Sequence, residues 1–154
     1  VWGRASGLNT APVKRSSPVQ VGTDTDWGTS AGHAGSGGYQ HAACIKQDGT
    51  LWMWGVNYYG QLGLNERTNP SNEGKSSPTQ IPGTTWKTVS CGLYGTQAIK
   101  TDNTFWYWGK NEKGVFGNNQ GGPNRYASSP TQLPGSWAAG EYFDRQTVAA
   151  IRLV

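Results

Sequence analysis

The sequence predicts an all-β fold in which short, four-stranded antiparallel sheets recur along the chain. Three observations carry that expectation. The first is a repeated text: Asp48-Gly-Thr-Leu-Trp-Met-Trp-Gly-Val-Asn-Tyr-Tyr-Gly-Gln-Leu-Gly-Leu-Asn65 returns as Asp102-Asn-Thr-Phe-Trp-Tyr-Trp-Gly-Lys-Asn-Glu-Lys-Gly-Val-Phe-Gly-Asn118. A clipped form, Val1-Trp2-Gly3 with Gly7-Leu8-Asn9, opens the chain. The second is composition. Glycine contributes 23 of 154 residues, far above the usual share of roughly 7%. The third is aromatic content. A mean hydropathy of −0.64 would suit disorder, but eight Trp and seven Tyr in recurrent places can each bury about 150–250 Å².

The elements follow in order from four markers. Ser17-Pro18-Val-Gln20, Ser77-Pro78-Thr-Gln80 and Ser129-Pro130-Thr-Gln132 are one motif, spaced 60 and 52 residues apart. Trp27, Trp86 and Trp137 follow each copy after a short turn. Ile45-Lys46, Ile99-Lys100 and Ile151-Arg152 close a third marker, and Trp-Gly pairs at 2–3, 54–55 and 108–109 form the fourth. A period near 50 residues that holds four short strands is the signature of a propeller blade. Strand A starts at the lone Trp, and strand B ends in Ile-Lys or Ile-Arg. Strand C is the aromatic run ending in Trp-Gly. Its successive side chains alternate between two buried faces. Strand D is the Pro-x-Gln segment, where proline suits a sheet edge.

The whole chain, 1–154, therefore reads as a single repeat domain of about three blades: a half-blade at 1–22, blades at 27–83 and 86–135, and a complementary half-blade at 137–154. Trp27, Trp54, Trp86, Trp108 and Trp137 are expected to form the structural core. Half-blades leave open strand edges, which invite pairing with another chain. The expectation is head-to-tail self-association through 147–153 and 1–3, or completion by the rest of a longer propeller chain. The absence of an initiator Met and of a signal sequence reads as a fragment or a processed product.

Composition also excludes function classes. The net charge is +4, and the 13 Lys and Arg are scattered rather than gathered into a basic stripe, so nucleic acid is an unlikely partner. No run is apolar enough to span a membrane, so no membrane insertion is expected. Cys44 and Cys91 fall at non-equivalent repeat positions and read as buried thiols.

Asp-Gly-x-x-x-x-Trp-Gly-x-Asn-x-x-Gly-Gln-Leu-Gly at 48–63 resembles the repeat of the regulator of chromosome condensation family. The resemblance covers nearly the whole chain and is looser at 110–118, where Val115-Phe116 replaces Gln-Leu. It implies a seven-bladed propeller scaffold. The terse Ser-Ser-Pro-x-Gln copies resemble bacterial and phage versions, which implies an extracellular or virion setting. It also implies two further possibilities: guanine-nucleotide exchange on a small GTPase, or inhibition of a secreted enzyme.

In an up-and-down blade the A–B and C–D connections lie on one face. Here these are the long ones, at 28–38, 56–76, 110–128 and 141–146, whereas the B–C and D–A turns are short. Long loops on a rigid scaffold are where binding usually resides. Tyr58, Tyr59, Tyr126, Tyr142 and Phe143, with Arg67, Arg125 and Arg145 nearby, have the composition of interface anchors. They are the candidate binding residues.

Other motifs point to nothing sharper. Gly28-Thr-Ser30-Ala-Gly32 matches a nucleophile elbow and His33 follows it, but that motif needs a strand before and a helix after. His33 and His41 are too few for a zinc site. Lys46, Lys100 and Arg152 could form an anion-attracting ring, though solvated strand ends are the simpler account. The expectation is a non-catalytic module with no metal and no cofactor. It would bind a protein or other macromolecule, or form part of a larger assembly such as a phage or cell-surface structure.

Overall fold

The computed structural model describes residues 20–28, 35–68, 74–122, 125–143 and 147–152, with backbone alone from 139 onward. Among the described residues there are ten strands: β1 (Gly35–Gly37), β2 (His41–Ile45), β3 (Leu51–Gly55), β4 (Lys75–Ile81), β5 (Trp86–Cys91), β6 (Gly95–Lys100), β7 (Phe105–Lys110), β8 (Tyr126–Leu133), β9 (Trp137–Phe143) and β10 (Thr147–Arg152). They form four-stranded sheets β1-β2-β3-β4 and β5-β6-β7-β8, and a two-stranded β9–β10 pair. Every pairing is antiparallel. No described residue is helical. The fold is all-β, and its sheets are propeller blades. Trp27 makes an isolated antiparallel bridge to Lys46, just past the end of β2.

The repeated text has a physical reason at each point. The Asp48 carboxylate accepts both the amide and the hydroxyl of Thr50, at 2.9 and 2.7 Å, and the Trp52 indole donates to that hydroxyl oxygen at 2.9 Å. Asp102, Thr104 and Trp106 repeat the arrangement at 3.0, 2.6 and 2.8 Å. A short relay thus ties the B–C turn to the aromatic strand. Hydrogen bonds from Thr50 and Thr104 hold the two carboxylates below the usual range.

At Trp-Gly the ladder slips: the register shifts between Met53 and Gly55, and again between Tyr107 and Gly109. Both glycines have a φ of 103°, and a Cβ there would lie 2.4 Å from the Gln40 carbonyl oxygen or 2.5 Å from that of Tyr94. Only glycine tolerates such a bulge. Beyond it the Asn that recurs in both repeats organises the C–D loop from inside. Asn57 is wholly buried; its carbonyl oxygen accepts from Leu62 and its amide donates to the Glu66 carbonyl. Asn111 does the same with Phe116 and Gln120.

Packing occurs between sheets. Ala43, Ile45, Leu51, Met53 and Ile81 of the first sheet close on Trp86, Val89, Cys91, Ala98 and Trp108 of the second. On the opposite face of the second sheet, Ile99, Phe105, Tyr107 and Phe116 form another cluster, against which Trp137 packs. Each fully buried aliphatic side chain contributes about 1.5–3 kcal/mol. The sheets are also stitched by main-chain bonds. The Trp86 amide donates to Gly49 and the Trp137 amide to Asn103, each the B–C turn of the preceding blade.

Several expectations change. Tyr142 and Phe143, expected in a loop, close strand β9, where they pair with Val148 and Thr147. The hairpin simply extends its ladder further than the turn-like sequence suggested. Tyr126 opens strand β8 rather than ending a loop. Trp54, Trp86 and Trp108 are buried, whereas Trp27 and Trp137 are half-buried. Residues 1–19, within the half-blade expected at 1–22, lie outside the described residues, as do Arg145 and the Ser30–His33 motif.

Candidate protein-binding face

Antiparallel order places the 38–40 and 92–94 turns with the described loop residues 56–68 and 111–122 at one end of the sheets. On that face four tyrosines form a row across both blades. Tyr39 lies edge-on to Tyr94 with ring centroids 6.3 Å apart, and Tyr94 meets Tyr59 at 4.8 Å. Tyr59 stacks on Tyr126 at 5.7 Å. Such ring pairs are worth about 0.5–1.5 kcal/mol beyond their buried area. Tyr39 is 58% exposed, a large ring left open to solvent at the end of the row.

Cations sit against the row. Lys110 Nζ lies 4.8 Å from the Tyr59 centroid and 5.3 Å from that of Tyr94. The Glu112 carboxylate, 2.6 Å away, holds the ammonium above its ordinary pKa. Arg67 lies 4.7 Å over Tyr126. These are cation–π distances. Of the sequence-predicted residues, Tyr59, Arg67 and Tyr126 come together here. Tyr58 is half-buried in the same loop, and Arg125 is exposed at the start of β8. The backbone of Tyr142 and Phe143 lies on the next blade. Tyr39, Tyr94 and Lys110 were missed. Tyr39 and Tyr94 stand one residue out of step in their A–B turns, so the repeat alignment hid them.

The opposite end is closed chemically. Lys46 Nζ lies 4.9 and 5.0 Å from the Trp27 and Trp52 rings, with Asp24 and Asp26 at 2.6 and 3.3 Å. Lys100 sits over Trp86 and Trp106 at 4.7 and 4.4 Å. These lysines cap tryptophan pairs. They are neither solvated strand ends nor a free anion ring.

The interior offers no nucleophile poised for chemistry among the described residues. Burial pushes the Cys91 thiol up to about 12, and both cysteines are free; a thiol held protonated is inert. His41 is buried and its pKa falls to about 4 by desolvation. Its Nε2 lies 3.0 Å from the Thr96 hydroxyl, which itself donates to the Gln61 carbonyl at 2.8 Å. The hydroxyl proton is therefore committed, and His41 Nε2 carries the hydrogen it donates. Among the described residues, no group of three His, Cys, Asp or Glu could hold a metal.

Comparison with known proteins gives this geometry a family. The profile for the regulator of chromosome condensation (RCC1) repeat matches residues 48–99, and a second profile for the same repeat matches 34–61. The Ultraviolet-B receptor UVR8 of Arabidopsis thaliana is 27% identical over 116 residues, covering 73% of this chain and 25% of the receptor. The chain thus spans a quarter of that relative's length. Among solved structures, human WBSCR16 superposes with a TM-score of 0.69 at 16% identity, over 90% of this chain and 35% of that one. Prp20p from Saccharomyces cerevisiae, described with its binding properties to Gsp1p and histones, gives a TM-score of 0.56 at 19% identity, covering 69% and 28%. Residues 34–99 of the chain carry the regulator of chromosome condensation repeat.

Proposed function

We propose that the chain is a non-catalytic propeller module that binds a protein through the end carrying its long C–D loops. The observation that carries this reading is the row Tyr39–Tyr94–Tyr59–Tyr126, which spans two blades and is flanked by Lys110 and Arg67. Tyrosine and arginine on a rigid scaffold are the residue types that dominate protein interfaces. Prp20p, with its described binding to Gsp1p and histones, lends support from a protein of the same fold. Exchange on a small GTPase, inhibition of a secreted enzyme and a part in a phage or cell-surface assembly are particular forms of this role. The identity of the bound protein separates them.

Self-association belongs to the same reading. The outer edge of β10 carries no third strand among the described residues, and an open edge templates pairing. Another copy, or more of the same polypeptide, would supply that strand. Light scattering at micromolar concentration tests the first alternative, and a monomer mass removes it.

The main reading is tested by hydrogen-exchange footprinting with peptides selected from a random displayed library. Protection is expected at 38–40, 56–68, 92–94 and 110–126. Protection centred on the turns at 47–50 and 101–104 would overturn the reading.

A further inference from the structure

We infer that the tyrosine row receives an extended peptide segment carrying a carboxylate, and that Arg67 is the group that binds this carboxylate. The inference rests on the reading of this face as protein-binding. The cations of the face are not equivalent. Lys75 is paired to Glu66 at 2.8 Å and Lys110 to Glu112 at 2.6 Å. Arg67 has the Tyr126 ring beneath it and no carboxylate partner among the described residues. A cation–π contact takes up none of the guanidinium's N–H donors, which stay available to a further partner. Their fork matches a carboxylate in two parallel hydrogen bonds.

The row itself favours a peptide over a nucleic acid. Stacked bases need free aromatic faces. Here Tyr59 lies between Tyr94 and Tyr126, with Lys110 over it as well, so its faces are already engaged. What the row offers is one open ring, Tyr39, at the end of an amphipathic ledge, which suits side chains and main-chain amides. The overall charge of +4 draws an acidic partner in the same direction.

The test selects binders from a displayed library of random twelve-residue peptides, on the native chain and on R67Q. Enriched sequences on the native chain are expected to hold Asp or Glu at a fixed place. R67Q should weaken the best of them by about ten- to a hundredfold, the range for a charge-assisted hydrogen bond. It should weaken their Asn or Gln counterparts little. A second variant, K87Q on the exposed side of β5, should leave the Glu-to-Gln discrimination intact. Enriched peptides that footprint on the tyrosine row yet lack an acid, or ignore R67Q, overturn the inference and leave the protein-binding face standing. Peptides that footprint on the opposite turns overturn both. A short oligothymidine that protects the tyrosine row more strongly than any selected peptide also overturns the inference, and assigns the ledge to nucleic acid.

Discussion

The Trp108 indole donates to the main-chain carbonyl of Gln61, 2.9 Å away, across the boundary between two sheets. The same oxygen accepts from Thr96, and a Cβ on Gly63 would lie 3.0 Å from the Trp108 Nε1. The Gln-Leu-Gly text of one blade is thus a socket for the Trp-Gly strand of the next.

Trp108→Ala should cost about 3–5 kcal/mol, the range for removing a buried large aromatic side chain. Trp108→Phe should cost less, because it keeps most of the contact and loses one hydrogen bond of about 1 kcal/mol. Urea unfolding of the two variants measures both. Equal costs would show that the hydrogen bond, and not the packing, dominates.

His41 makes the same boundary sensitive to acid. Its folded pKa of about 4 lies below the ordinary 6.5. Below pH 6.5 the unfolded chain takes up a proton that the folded chain refuses until about pH 4. Stability therefore falls as pH drops through that window, by about 3 kcal/mol in all, and the effect is fully absent above it. Unfolding free energies at pH 7, 5.5 and 4.5 should show a shallower slope for H41Q than for the native chain. Parallel slopes would mean that folding leaves the His41 pKa unchanged.

Glycine positions should separate conformation from space. Gly117 has a φ of 63° and nothing within 4 Å of a built Cβ, so Gly117→Ala should cost about 1–2 kcal/mol from backbone strain alone. Gly109→Ala adds a collision with the Tyr94 carbonyl, 2.5 Å from that Cβ, and should cost clearly more. Thermal unfolding ranks the two; the reverse order would contradict the bulge.

The repeat made the fold readable. Strand identity could be read from Trp86, Ile99, Trp108 and Pro130 because each marks the same step of a blade, where burial or an edge position demands that residue type. Asn111 and Asn57 were visible as text, yet their role as loop organisers was not, since their partners lie five and nine residues on. The face was legible in part. Tyr59, Arg67 and Tyr126 were marked by composition, but Tyr39, Tyr94 and Lys110 join them only through the crossing of two blades. No spacing in the chain records that crossing. Tyr142 and Phe143 misled because Gly140 before them looks like a turn, while β9 runs through it to Phe143.

The face should also tolerate change better than the boundary does. Tyr39→Ser removes a ring that is 58% exposed and should shift the unfolding midpoint little, since exposed substitutions usually fall within about 0.5 kcal/mol. A large loss of stability, read by thermal melting, would make Tyr39 a packing residue and shorten the row.

The central claim is that the tyrosine row is the binding surface. The direct measurement is the dissociation constant of library-selected peptides for Tyr39→Ser, for Tyr59→Ser with Tyr126→Ser, and for a control with Lys87→Ser on the exposed side of β5. Tenfold or greater weakening is expected in the row variants, at about 1.4 kcal/mol per tenfold, and no change in the control. Unchanged affinity in folded row variants would contradict it.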